Sequence, residues 1–183
     1  MISGTAVRSV NIALQSFGIM VALAMMSSFR RDLLRNRSQR LLFSKIVTAT
    51  VCMVCFVIYN LRGTGRGDPF DMILISLSQV GLYFVSYLYI EYLRAQIEEI
   101  DAGRRVPASV QIAALVICVA GSTLRVVSTA SGGFGQYGGP DSGNGITFEI
   151  GHAGGVVLMG ITIIILCIYY RTLGVRHTII LAS

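Results

Sequence analysis

Residues 150–170 read IGHAGGVVLMGITIIILCIYY, a run without a single Asp, Glu, Lys or Arg. A bilayer hydrocarbon core of about 30 Å takes roughly 20 helical residues to cross, and this run has that length. Lipid offers no partner to a backbone N–H or C=O, so the run has to close its hydrogen bonds within itself, as a helix. Barrel strands would be shorter and would alternate, whereas this block is apolar throughout. Working outward, four more stretches meet the same length: 10–29, 41–60, 70–92 and 110–127. The expected fold is therefore all-α, a polytopic membrane helix bundle with about five transmembrane helices in one domain over 1–183. Composition agrees. Hydrophobic residues make up 54% of the chain and charged ones 13%, against about 25% charged in a soluble domain.

The net charge of +6 would suit a nucleic-acid binder, but the basic residues cluster between the apolar blocks, where they set membrane orientation. Arg30, Arg31, Arg35, Arg37, Arg40, Lys45, Arg94, Arg104, Arg105, Arg171 and Arg176 fall on one side, eleven in all. Four fall on the other: Arg8, Arg62, Arg66 and Arg125. The richer side is expected to be cytoplasmic, which puts the amino terminus outside. The bilayer is the expected partner, and nucleic acid is not. The first run is longer than a signal-peptide core of about 7–15 residues and no A-x-A-like site follows it, so it reads as a retained helix.

The connections fit this layout. Residues 62–69 read as a tight Gly-rich turn, with Pro69 suited to the first position of the third helix. The link 94–107 is charged and amphipathic, a helical extension ending near Gly103. Segment 128–145, with seven glycines, Pro140, Asp141 and Asn144, reads as a long turn-rich loop, and 146–150 as either a short hairpin strand or more loop. After His177 a new apolar run, 178–182, opens and stops at Ser183, as if a sixth helix were cut off and the chain were a fragment of a longer one.

Polar groups at membrane depth need a partner or a purpose. Asn11, Gln15 and Gln79 are amides inside the first and third spans, suited to interhelical hydrogen bonds or, for Gln79, to a ligand. Lys45 and Glu91 lie near the cytoplasmic boundary, where they can reach the interface. Asp71, Arg125, Glu149 and His152 map to roughly the same outer depth. Arg125 can pair with Asp71 or Glu149 as a polar lid, or help line a pocket open to the outside, in which His152 would add sensitivity to pH near neutrality. Asp71, Gln79, Arg125, Glu149 and His152 are thus the candidate ligand-binding residues. Gly151 and Gly155 form a G-x-x-x-G pair with Gly154 and Gly160 alongside, a spacing that allows close helix approach, within the chain or in a homodimer. Tyr83 and Tyr87 share a face and should pack inside, while Tyr89 and Tyr92 suit an interfacial aromatic belt.

Other matches carry no chemistry. Cys52 and Cys55 form a C-x-x-C inside an apolar span with no second pair or nearby His, so they read as small packing residues. Gly63-Thr64-Gly65-Arg66-Gly67 lacks the strand–loop–helix setting of a phosphate loop, Arg66-Gly67-Asp68 is a chance tripeptide, and Asn36-Arg37-Ser38 is a sequon on the cytoplasmic side. No catalytic residue, metal site or cofactor is expected.

The order of features resembles a known arrangement. An outer amino terminus leads through a first helix to a basic turn, 30–40, in which Leu34-Arg35-Asn36-Arg37 precedes Leu42-Phe43. The third helix passes through Tyr83 to Tyr92 into a charged link, and the fourth into the Gly/Asp-rich loop 131–145. This resembles the amino-terminal seven-helix sensory region of bacterial signalling proteins, ahead of diguanylate cyclase (GGDEF) or histidine kinase output domains. The resemblance implies a sensory input module in the cytoplasmic membrane that takes a small-molecule or peptide signal and passes it to an output domain beyond Ser183, where any catalysis would reside. A fragment of a transporter or permease and a small membrane scaffold are the competing expectations.

Overall fold

The computed structural model describes residues 4–28, 36–62, 68–130 and 146–182, with side chains described over 9–28, 36–62, 68–127, 153–170 and 173–174. The described chain forms five helices: α1 (Gly4–Ser28), α2 (Arg37–Arg62), α3 (Pro69–Ile100), α4 (Ala108–Ala130) and α5 (Ile146–Ala182). All five are long and apolar enough to cross a membrane; α2 to α5 contain the last four expected spans, and α1 covers 10–28 of the first. The basic run 30–35, the glycines of 63–67 and the loop 131–145 lie outside the described residues.

Two boundaries differ from expectation. Residues 146–150 are the first turn of α5 and not a strand or loop. The last apolar run, 178–182, continues α5 and does not open a separate helix. No proline interrupts 171–177, and the single Gly174 costs a helix only about 1 kcal/mol, too little to end one. The break expected there rested on charge and not on a backbone signal.

α3 starts where Pro69 was expected to start it. Asp68 caps the helix by accepting a hydrogen bond from the Phe70 amide at 2.9 Å, and Pro69 at the first position has no N–H to leave unpaired. Arg62 at the end of α2 completes the corner with ion pairs to Asp68 and to Asp71, the latter at 2.9 Å, and its guanidinium sits 4.7 Å from the Phe70 ring centroid. Bonding to the Phe70 amide, and then to Arg62, holds the Asp68 carboxyl below the usual carboxylate range. A group depressed in the folded state contributes stability that is present above its unfolded pKa and fades as pH falls through the folded one. Asp68→Asn keeps an acceptor for the cap and loses the charge. Its thermal midpoint should therefore fall less than that of the parent on acidification below about pH 4, and equal acid sensitivity of the two proteins would rule out this role.

At its far end α3 stops at Ile100, slightly before the Gly103 anticipated. Asp101 closes it through its own amide to Ile97 O at 2.9 Å, and accepts from the Gly103 amide at 3.0 Å. Val106 then tucks into the core, and the Tyr169 hydroxyl donates to Arg105 O at 3.1 Å, tying this link to α5.

Contacts place α3 at the centre. It packs against α2, α4 and α5, while α1 lies on α2 and α4 lies on α5. The core forms where the last three helices meet: Tyr83, Ile90, Leu93 and Ile97 from α3, Ala114 and Cys118 from α4, Leu158 and Ile165 from α5. Glycines permit the close approaches. Gly81 of α3 faces Cys52 of α2, Gly121 of α4 receives the Tyr83 ring, and Gly18 of α1 faces Met53 of α2. Outside this core the surface is strongly apolar, with Leu14, Phe17, Met20, Val119, Val156, Met159 and Ile168 all exposed. Such a surface would aggregate in water and suits lipid.

Candidate functional site

The site grows from one stripe of α3. Gln79, Leu82, Ser86 and Tyr89 are spaced three and four apart, so they share one face of the helix. A matching stripe of α5, from Gly155 and Val156 through Met159 and Ile163 to Leu166, stands beside it. Among the described residues no helix fills the space between α2 and α5, and the result is a groove of about 680 Å³ floored by α3 and walled by α5. Lys45 of α2 enters it near one end, together with Tyr89, and Arg125 of α4 near the other, together with Gln79. The middle is mostly aliphatic, with Tyr83 and the hydroxyls of Ser86 and Thr162 among its lining. A second cavity of about 250 Å³ lies among α1, α2 and α3, lined by Gln15, Cys52, Phe56 and Ser78. Gln79 borders both cavities.

Lys45, expected near the cytoplasmic boundary, turns onto a ring of α3. Its ammonium lies 3.5 Å from the centroid of the Tyr89 ring, a cation–π arrangement whose worth rises as water is excluded. Tyr89 is itself stacked on Tyr92, centroid to centroid 6.0 Å. Tyr83 is buried, as its helical face predicted, and its ring is held between Gly121 and Gly154.

Of the five candidate ligand residues, the structure brings Gln79 and Arg125 to the same groove. Asp71 is elsewhere. It is buried and takes Arg62 from the α2–α3 corner as an ion-pair partner, a local pairing across nine positions that could have been read from the shortness of the turn. Gln79 lies eight residues further along α3, about 12 Å by helical rise. Arg125 shares the groove with Gln79 and is buried. Glu149 and His152 lie on the first turns of α5, and their side chains fall outside the described residues. The glycine cluster also divides. Gly154 meets Tyr83 and Ile117, whereas Gly155 and Gly160 have nothing within 4 Å where a Cβ would stand, so among the described residues they bring no helix close. Gly151 falls outside the described side chains. Cys52, Cys55 and Cys118 serve as packing groups, with Cys55 and Cys118 buried and none of the four cysteines bonded to another.

The other polar constellation lies at the opposite end of α3 and was not anticipated. Ser38, fully buried at the second position of α2, donates its amide to Glu99 at 2.9 Å and its hydroxyl to the same carboxylate at 2.6 Å. Arg37 pairs with Glu91 at 3.5 Å and Glu98 at 3.9 Å. Arg94 joins Glu98 at 3.1 Å and also bonds Gln111 of α4. One turn-and-a-half of α3 thereby holds the beginnings of two neighbouring helices. The first four amides of a helix have no internal partner, and the negative charge of Glu99 suits the positive end of the α2 dipole. The signal for it was present in the acidic pair Glu98-Glu99 facing the basic start of α2, but only the antiparallel register of α2 and α3 makes it a contact.

No protein-family model, no curated protein and no solved structure matches this chain.

Proposed function

We propose that this chain is a membrane-embedded sensory input module, with its amino terminus outside the cytoplasm, that relays an extracytoplasmic or intramembrane signal to a cytoplasmic output domain absent from this chain. The observation that supports it is the double role of α3. The same helix floors the groove through Gln79, Ser86 and Tyr89 and, five and ten residues past Tyr89, anchors the starts of α4 and α2 through Arg94 and Glu99. A ligand that prefers one placement of α3 would shift the ion network at its end, because a ligand moves an equilibrium only through a difference in affinity for its two states. Groove and ion network share one helix, and packed helices and ion networks are among the elements that carry coupling between sites.

The reading is tested in the organism's own cells with the full gene product. Gln79→Ala and Arg125→Ala are expected to change the downstream phosphorylation or second-messenger level while membrane abundance stays at parental levels. Unchanged signalling in both variants overturns the sensory reading. Loss of solute uptake in their place would support the transporter reading. Reporter fusions in 101–107 and at the amino terminus check the orientation, the first expected on the cytoplasmic face and the second outside.

A further inference from the structure

We infer that the groove between α2 and α5 is a binding site for one anionic phospholipid of the leaflet at the Arg37 end, with its phosphate on Lys45 and one acyl chain laid along α5. This goes beyond the sensory reading and does not depend on it, since a transporter or scaffold with the same groove would hold the same lipid.

Charge decides the class of ligand. Lys45 is the cation at the Tyr89 end of the groove, and none of the described lining residues is a carboxylate. Among the described residues Lys45 forms no ion pair, its described partner being the Tyr89 ring. The carboxylate nearest that depth on α3, Glu91, is buried and already paired with Arg37 and Arg94. The groove lies among apolar helix faces that suit lipid, and a bilayer phospholipid offers the phosphate that complements this ammonium. Lys45 stands eight residues, about 12 Å, into α2 from Arg37, and a lysine stem of that placement brings its ammonium to the headgroup boundary.

Shape agrees. From Tyr89 to Gln79 the groove follows ten residues of α3, about 15 Å, which is half of a hydrocarbon core about 30 Å thick and so the depth of a single leaflet. Its aliphatic lining, Leu166, Ile163, Met159 and Val156 on α5 with Leu82 and Val85 on α3, runs between the two polar ends. The volume of about 680 Å³ falls within the range of about 300–1,000 Å³ typical of ligand sites. Gly155, with nothing in reach of a Cβ, keeps the inner end of the groove wide.

Native mass spectrometry of the delipidated full chain, titrated with dioleoylphosphatidylglycerol or with dioleoylphosphatidylcholine, tests the assignment. The parent is expected to retain one phosphatidylglycerol in preference to phosphatidylcholine. Lys45→Met should weaken phosphatidylglycerol about fivefold, the order of one basic group at an anionic surface, and leave phosphatidylcholine unchanged. Met159→Trp, at an exposed position where added bulk does not enter the core, should block the groove and reduce binding of phosphatidylglycerol with Lys45 intact. Arg40→Met, exposed at the same end, should change little. Thermal midpoints confirm that each variant is folded. Equal phosphatidylglycerol binding by the parent and Lys45→Met overturns the proposal, as does full binding by Met159→Trp or a dimer in which lipid is excluded.

Discussion

Gly121→Ala is expected to lower the stability of the purified protein by about 1–3 kcal/mol, the cost of overfilling a packed core, and to sit near the top of that range. A Cβ at Gly121 would stand 2.5 Å from Tyr83 Cζ and 2.8 Å from its hydroxyl oxygen. The ring has no room to withdraw, because Gly154 of α5 closes on its other side with a Cβ position 3.0 Å from the same oxygen. Tyr83 is 4% exposed, so α4 or α5 has to move if the ring stays. The measurement is the thermal midpoint in detergent or the unfolding midpoint in mixed micelles. Gly81→Ala provides the comparison. There the added Cβ collides with Cys52 Sγ, a single atom on a rotatable bond, while Cys52 Cβ lies at an ordinary 3.7 Å. Its cost should be smaller, and Cys52→Ala in the same chain should recover most of it. Tyr83→Phe should be close to neutral, since the Tyr83 hydroxyl has no hydrogen-bond partner among the described residues and a buried hydroxyl without one gains nothing by being there. Parental stability of Gly121→Ala would mean that α3, α4 and α5 do not meet around Tyr83.

Glu99→Ala should have the next largest effect, and it should be local. The carboxylate accepts both the amide and the hydroxyl of Ser38, whose surroundings exclude water. Its removal strands two buried polar groups, and leaving one such group unpaired costs about 1–3 kcal/mol. Hydrogen exchange should rise across the first turn of α2, residues 37–40, and remain at parental levels in the middle of α3. Glu99→Gln keeps one acceptor oxygen and gives up the charge at the α2 amino end, so it should fall between the parent and the alanine variant. Protection unchanged at 37–40 in Glu99→Ala would show that water or another group satisfies Ser38. If the sensory reading holds, the same variant should also uncouple a signal at the groove from its output, because this contact joins α3 to α2 beyond the groove.

Much of the fold was legible because crossing a bilayer is a demand on run length. The five helices, the start of α3 at Pro69 and the burial of Tyr83 follow from counts and spacings within a few turns of chain. The errors had the same local origin. A cluster of charge at 171–177 looked like a boundary, yet charge does not break a helix and α5 runs on to Ala182. The glycines of α5 were read as one packing stripe, but only contacts show which of them meets anything.

What the amino-acid sequence determined by itself is the class of molecule: an all-helical chain of five membrane-length apolar helices with its basic residues gathered between them. Each of those properties is summed along a single segment and needs no knowledge of a second one. Tertiary structure alone decided that α3 is the hub, that Glu99 closes the start of α2, and that Lys45 turns onto Tyr89 in a groove left open between α2 and α5. Those outcomes depend on register and on side-chain volume across helices far apart in the chain. Between apolar helices in lipid there is little hydrophobic drive to choose partners, so the fit of a tyrosine into a glycine notch and a few ion pairs settle which faces meet.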